Sequence, residues 1–491
     1  MCRRNAHKPN KALHSDAVNR AREHNRSNQE GDVIVKTMKS LLVSTCICLF
    51  AIGTVHAEDK EIKVIVKPTA DQVAWHDMEL GMFFHFDIPV YKQGWKWRTF
   101  KDHPDPNLYQ PTKLDTDQWM EAAKAMRAKY AIFVAKHCSG FLQWQSDLYP
   151  YGVKQSSWRN GKGDVVAEFV KSCKKYGIKP GLYASVTANS FLEVDNPGLV
   201  NRGKGGTPKA QAEYNRICED MAEELWSRYG ELVEIWFDGG AIPASKGGPA
   251  LIPILKKYQP NAIVFQGPSG TPNLIRWVGN ERGVAPYPCW STAKSGTSEG
   301  GTIEKVFGGH PDGNLWVPGE CDVPVRNHDW FWKPNREKRL YSLEHLMDMY
   351  YRSVGRNCNL LLNANPNPDG LIPEADMKRY VEFGKEIKRR FGKPVAKTTG
   401  TGEQVELSLK APTVINHVTI MEDIAHGERI RSYVVEGVEE GGAWITLCEG
   451  QSVGHKRIHL FDTRTLKKIR LRVTKSVATP IIRELAVYNV K

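Results

Sequence analysis

At 491 residues, with 41% hydrophobic and 10% aromatic content, the chain is too long for one small domain. It suits a large barrel with an appended module, and its composition excludes disorder over most of its length. The formal net charge is +13, of which nine Lys/Arg against four Asp/Glu in residues 1–57 account for +5, leaving +8 for the rest. That modest positive charge suits an anionic polysaccharide or surface. No dense basic stretch with interleaved aromatics is present, so nucleic acid is not expected as a partner.

In chain order, the polar residues 1–37 read as an unstructured extension. Met38 and Lys39 then precede the apolar run SLLVSTCICLFAIGTV and the small-residue pattern Val55-His56-Ala57. This is the layout of a signal peptide cleaved near Ala57. The run is too short and wrongly flanked for a stable membrane span. Export to the periplasm or the exterior as a soluble protein is expected. Of ten cysteines, seven follow the cleavage point, an odd number without CxxC spacing. They read as buried apolar thiols, neither a disulfide scaffold nor a zinc site.

From about residue 70 to 390, short apolar runs alternate with amphipathic stretches. Strands are predicted at 80–88, 131–137, 179–186, 232–238, 262–267 and 357–364. Helices are predicted at 115–129, 163–177, 209–229, 248–258 and 339–354. Asp115 followed by Gln118 suggests a capping box for the first of these, and Gly177 a stop for the second. Repeated β-α units with buried parallel strands predict an α/β fold, a (β/α)₈ TIM-like barrel. An open doubly wound sheet is the alternative, but no Gly-rich phosphate loop follows the first strand. Residues 58–392 are assigned to the barrel, 393–403 to a linker, and 404–491 to a C-terminal β-sandwich of short alternating strands.

Barrel chemistry sits at the carboxyl ends of strands. That rule nominates His85, Asp87, His137, Tyr183, Trp236, Asp238, Gln266, Glu281 and Asn363. Cleavage of a glycosidic bond needs two carboxyl groups, one to attack or activate water and one to protonate the leaving oxygen. Asp238 ends the apolar run LVEIWFD and is followed by two glycines, which leaves room for a substrate. A helix cap or turn is the other reading of that residue. His85 and His137 are each open to sugar binding, metal binding or a plain core role.

Seven segments, among them WHDMELGMFFHF (75–86), AIFVAKHCSGFLQW (131–144), YGELVEIWFDGG (229–240), RWVGNERG (276–283), VPGECDVPVR (317–326) and CNLLLNANPNPDG (358–370), resemble the α-L-fucosidases of glycoside hydrolase family 29 in order and spacing. The resemblance covers roughly residues 70–390. It implies a retaining mechanism with Asp238 as nucleophile, and sugar contacts from His85, His137, Tyr183 and Trp236. RWVGNERG resembles the branch that prefers α-1,3/1,4-linked fucosides, which makes Glu281 the acid/base; Glu320 is the rival and Glu299 a more distant one. No cofactor is implied, and no Asp/His spacing for a metal is present. The expected partner is an oligosaccharide or polysaccharide. The chain departs from the family pattern in having Cys138 where a second sugar-binding histidine is usual, and Val186-Thr187-Ala188-Asn189 in place of a Pro-Trp-Asp stretch. Lost hydroxyl contacts shift sugar selectivity, so α-L-galactosidase activity on algal galactans is the alternative expectation. A non-catalytic carbohydrate-binding protein is a second alternative.

Overall fold

The structure, a computed structural model, describes residues 64–97, 102–200, 208–294 and 307–491. The extension and signal peptide read over residues 1–57, and Glu299, lie outside them. Eight parallel strands close into a barrel. They are β1 (Leu80–Phe84), β2 (Tyr130–Lys136), β3 (Lys179–Ala184), β4 (Glu234–Trp236), β5 (Ile263–Phe265), β6 (Leu274–Trp277), β7 (Gly319–Pro324) and β8 (Cys358–Ala364). Each pairs with its neighbour in sequence, and β8 returns to β1 through the register Leu80↔Leu360 to Phe84↔Ala364.

Period-two alternation sorts the side chains. Met82, Phe84, Ala131, Phe133 and Ala135 point outward into the layer beneath the helices. Phe83, Tyr130, Ile132, Val134, Tyr183 and Trp236 point inward and fill the barrel. Each buried large apolar side chain contributes about 1.5–3 kcal/mol. One inward position has no room for a side chain: a Cβ on Gly81 would lie 2.4 Å from the ring of Tyr130.

The outer layer holds α2 (Thr116–Ala125), α3 (Val165–Tyr176), α4 (Pro208–Arg228), α5 (Leu251–Tyr258), α6 (Leu343–Arg352) and α7 (Glu374–Phe391). A shorter helix, Ala70–His76, precedes β1 and lays Trp75 across the amino-terminal end of the barrel. Asp115 caps α2 as expected, accepting from the backbone N–H of Asp117 and Gln118. Gln118 does not complete a capping box; its amide instead pairs with both backbone groups of Ile372, tying α2 to the segment after β8. Gly177 ends α3 in the left-handed conformation, φ 69°. Two strands escaped the sequence reading, β6 and β7. Among the described residues no α-helix joins β5 to β6 or β6 to β7.

The C-terminal unit is an antiparallel sheet of β9 (Ala396–Thr401), β10 (Gln404–Glu422), β11 (Ile430–Val438), β12 (Trp444–Gly450), β13 (Arg457–Ser476) and β14 (Ile481–Tyr488), in the order β9-β14-β10-β13-β11-β12. Register shifts interrupt the long strands β10 and β13, and residues from both ends of each share one hydrophobic core, as in a β-sandwich. The stretch 393–403, expected as a linker, contains β9, whose residues alternate half-buried and exposed along β14. Its polar Lys/Thr composition is that of an edge strand and hides the pairing.

Buried polar groups join this unit to the barrel. The Glu428 carboxylate accepts from the backbone N–H of Ser291 at 2.9 and 3.0 Å and from Asn357 Nδ2 at 2.5 Å. Asn357, at φ 63°, also accepts from the backbone N–H of His455. Asp77 accepts from Arg483 and pairs with His455 at 2.8 Å, and these contacts hold its carboxyl well below the usual range. Glu428→Ala leaves several buried donors without an acceptor and is expected to destabilise the fold by about 3 kcal/mol, read as a lower midpoint in thermal or guanidinium unfolding. An unchanged midpoint would remove Glu428 as the anchor between the two units.

Candidate active site

The carboxyl ends of β4, β6 and β7 surround a cavity of about 460 Å³. Trp236, Asp238, Phe265, Gln266, Trp277, Glu281, Phe307 and Asp322 line it. A second cavity, of about 390 Å³, opens at the opposite end of the barrel beside Trp75 and Pro180, away from the strand ends that carry the carboxylates and histidines. The first is the candidate active site.

Asp238 lies two residues beyond β4. Tyr183, on β3, donates its hydroxyl to Asp238 Oδ2 at 3.1 Å, and Thr187 donates to the Asp238 backbone carbonyl at 2.8 Å. Burial raises the Asp238 carboxyl above its ordinary range; the Tyr183 hydroxyl opposes that shift and the Glu281 charge adds to it. Thr187 belongs to the stretch that departs from the family pattern, and here it helps hold the backbone of the candidate nucleophile.

A chain of rings forms the wall beside Asp238. His85 and His137 lie 6.0 Å apart, His137 stacks on Tyr183 at 5.8 Å and 14°, and Tyr183 stacks on Trp236 at 5.5 Å and 25°. Both histidines are neutral because burial disfavours the charged ring: His85 is pushed down to about 3, and His137 well below its ordinary value. Asn363 fixes the His85 tautomer. Its Nδ2 donates to the Trp330 carbonyl at 2.9 Å, so its Oδ1, 2.6 Å from His85 Nδ1, must accept. The proton therefore sits on Nδ1, leaving Nε2 to accept a hydrogen bond.

Glu281 stands at the exposed rim, where Trp330 Nε1 donates to its Oε2 at 2.9 Å. The backbone carbonyl of Trp330 is in turn held by Asn363 and Asn365. One asparagine thus orients a pocket histidine and the loop that grips Glu281.

Glu320 occupies a different place. It is fully buried inside the barrel, accepting from Tyr130 Oη at 2.6 Å and Trp236 Nε1 at 3.0 Å. Glu234, also fully buried, accepts from Trp75 Nε1 at 2.9 Å. Burial and mutual repulsion raise the Glu234 carboxyl well above its ordinary range, and burial pushes Glu320 up to about 7. The two act as a carboxyl pair holding a proton in the dry interior, beneath the cavity rather than in it.

Sequence reasoning missed Asp322. Two residues beyond Glu320 on β7, it shares the inward face and lies one step nearer the pocket. Its Oδ1 accepts from Trp277 Nε1 at 2.7 Å, and burial with the Glu281 charge raises it well above the carboxylate range. The i, i+2 spacing in GECDVP was the available signal. Asp87, by contrast, turns from the pocket to Ser139 and the backbone of Ile88.

A family model described as alpha-L-fucosidase matches residues 56–390. The chain belongs to the alpha-L-fucosidase family. It is therefore a glycoside hydrolase, and its substrates are glycans. It is 31% identical to alpha-L-fucosidase 1 of Arabidopsis thaliana over 87% of this chain and 88% of the plant protein. A Bacteroides thetaiotaomicron structure, described as a candidate alpha-L-fucosidase, superposes with a TM-score of 0.82 at 40% identity, covering 87% of this chain and all of that one. A Ruminococcus gnavus glycoside hydrolase family 29 fucosidase in complex with fucose gives a TM-score of 0.73 at 26% identity, covering 87% and 96% of the two chains. No helix among the described residues is long and apolar enough to cross a membrane.

Of the residues nominated from sequence, the fold brings His85, His137, Tyr183, Trp236, Asp238, Gln266, Glu281 and Asn363 to one end of the barrel. Glu320→Ala removes the acceptor for Tyr130 and Trp236 and is expected to destabilise the fold by about 3 kcal/mol, seen as a lower thermal midpoint. Retention of the wild-type midpoint would show that the interior pair is dispensable.

Proposed function

We propose that the protein is a retaining exo-α-L-fucosidase that releases terminal α-L-fucosyl residues from glycans through a covalent glycosyl-Asp238 intermediate. The observation that carries this reading is that Asp238 and Glu281 line one cavity from separate strand ends, while Glu234 and Glu320 are sealed below it. Asp238 attacks the anomeric carbon as Glu281 protonates the departing oxygen. Glu281 then takes a proton from the water that releases the sugar. Neutral His85 and His137 suit neutral hydroxyls, and Trp236, stacked against Phe265 and Tyr183, adds an apolar edge to the cavity. The fucose complex of the Ruminococcus relative supports the choice of sugar.

The segment RWVGNERG supports α-1,3/1,4-linked, branched fucosides as the preferred linkage. Export to the periplasm or the exterior, with cleavage near Ala57, is part of the same reading and suits an enzyme that meets glycans outside the cytoplasm.

One observation favours a second sugar. Cys138 Sγ, a ring nitrogen of His137 and a carboxylate oxygen of Asp238 all lie within 4.8 Å of one another, so the replaced histidine borders the candidate nucleophile. L-galactose is L-fucose with a hydroxyl on C6, and a smaller side chain there leaves space for it. Purified protein assayed on 4-nitrophenyl α-L-fucoside and α-L-galactoside, followed by an oligosaccharide panel, separates the two; no release from any α-L-glycoside would sink both. Retention is checked by NMR, with the α-anomer expected first.

Asp238→Asn is expected to abolish turnover. Glu281→Gln should lower kcat about 10²–10⁴-fold and recover with azide on an activated aryl substrate, whereas Glu320→Gln should keep most of its activity; the reverse pattern would move the acid/base role to Glu320. Tyr183→Phe removes the hydroxyl that lowers the Asp238 pKa. Asp238 must be ionised to attack, so the acid limb of kcat/KM should move to higher pH in this variant. An unmoved or lowered limb would contradict the nucleophile assignment.

A further inference from the structure

His137, Cys138 and Asp238 bring together three kinds of donor beside the candidate nucleophile: an imidazole nitrogen, a sulfur and a carboxylate oxygen, mutually within 4.8 Å. Sequence spacing did not reveal this group, because Asp238 lies a hundred residues from the other two and reaches them only when β2 and β4 flank β3 in the barrel. Two of the three have hydrogen-bonding neighbours, Tyr183 for Asp238 and Ser185 for Cys138. Burial keeps His137 neutral, with its lone pair free of a proton, and no hydrogen bond engages its ring nitrogens among the described residues. Cys138 is buried at 5% exposure beside the Asp238 charge, and its thiol is pushed up to about 12. It stays a thiol until a cation displaces the proton.

Mixed N, S and O donors at about 2.0–2.3 Å in a tetrahedron, with the fourth position left to solvent, suit a borderline-soft cation of the zinc class. Calcium and magnesium need six or more oxygen ligands and gain nothing here. Tetrahedral bonds of that length require donors about 3.3–3.8 Å apart, so binding must draw the three side chains closer than their present separation of up to 4.8 Å. We infer that His137, Cys138 and Asp238 form an inhibitory site for a zinc-class divalent cation, which stops hydrolysis by engaging the carboxylate that would attack the sugar.

The inhibitory half rests on the proposed role of Asp238; the binding half does not. On binding, the Cys138 S–H bond breaks, a sulfur–metal bond forms, and the proton leaves to solvent. Thiolate and carboxylate together neutralise the two positive charges. Binding therefore strengthens as pH rises, one proton being released per ion. Histidine at position 138, the residue usual in the family pattern, would supply a second neutral imidazole in place of the thiolate and forgo the affinity of sulfur for soft ions.

The test uses the purified full chain. Titration with Co²⁺ should produce a thiolate-to-cobalt charge-transfer band together with the visible bands of a tetrahedral site, and both should vanish in Cys138→Ser and Cys138→Ala, whose folding is checked by circular dichroism. In the wild type, Zn²⁺ should inhibit 4-nitrophenyl α-L-glycoside hydrolysis and a chelator should reverse it. In either variant the Zn²⁺ concentration for half-inhibition, measured against that variant's own metal-free rate, should rise at least about tenfold. Absence of the charge-transfer band, or its survival in both variants, overturns the site. A Cys138-dependent band without inhibition overturns the inhibitory half and counts against Asp238 as nucleophile. Failure of the metal-free enzyme to cleave any α-L-glycoside would fall on the proposed function alone, since the cobalt spectrum is read without turnover.

Discussion

The carboxyl pair Glu234–Glu320 is the constraint on which the pocket depends. A barrel interior is ordinarily packed with branched apolar side chains, and ionised carboxylates there are costly unless neutralised or hydrogen-bonded. Here the two carboxyls come from β4 and β7, are both raised by burial, and are surrounded by donors from Trp75, Tyr130 and Trp236. Those three aromatics belong to the cluster that fills the barrel. The pair thus fixes Trp236 from below, and Trp236 is the floor on which Tyr183 stacks and beside which Asp238 emerges. Each of the two strands carries a lower, structural carboxyl and an upper one at the cavity: Glu234 then Asp238 on the β4 side, Glu320 then Asp322 on the β7 side. Depth in the barrel, set by residue count along the strand, separates the carboxyls sealed in the interior from those that line the cavity.

A second layer of control comes from β8. Asn363 uses its amide nitrogen on the Trp330 carbonyl and its amide oxygen on His85. The first contact decides the orientation of the amide, and that orientation decides which nitrogen of His85 carries the proton. Asn365 reinforces the grip on the Asp329 and Trp330 carbonyls, and the Trp330 indole reaches Glu281. Since Glu281 is exposed and sits on a segment without regular structure, the contact from Trp330 ties it to the rigid barrel. An indole whose backbone is held by two asparagines thus positions an exposed loop carboxylate, which is the preorganisation that the proposed acid/base role would require.

The parts of the fold legible in sequence are those whose strands are apolar on both faces. YAIFVAK and CNLLLNA read as strands because inward and outward residues alike are mostly hydrophobic. LIRW and GECDVP escaped because their inward or end positions carry polar groups that the barrel satisfies internally. The buried Arg276 guanidinium donates to the backbone carbonyls of Val317 and Trp290, and Glu320 and Asp322 take donors from indoles and a phenol. The hydrophobic signature fails where the interior is built of hydrogen bonds. The same strands bound the active-site cavity, so the family resemblance of their segments supplied what periodicity could not. Asp322 was not legible even so, because an acid in a short polar strand shows its depth only once the barrel places it against Trp277. The edge strand β9 was hidden for a simpler reason: half of its residues face solvent, so its composition resembles a linker.

Net charge and local charge point in different directions. The +8 outside residues 1–57 suggested attraction to an anionic polysaccharide. The cavity itself brings together Asp238, Glu281 and Asp322, and no lysine or arginine is among its described lining residues. A sulfate held there would meet the carboxylates of Asp238 and Glu281 in a partly buried space, while Asp322, raised well above the carboxylate range by burial, supplies no positive charge to offset them. The neutral histidines beside Asp238 offer an anion no compensating charge. On the proposed function, an uncharged terminal sugar such as fucose or L-galactose suits this cavity. If the natural glycan bears sulfate, it must carry it on units outside the cavity. The overall positive charge can then raise the local concentration of a polyanionic chain without contributing to recognition of the sugar that is cut, and on the proposed function the contacts around Asp238, Cys138 among them, distinguish that sugar.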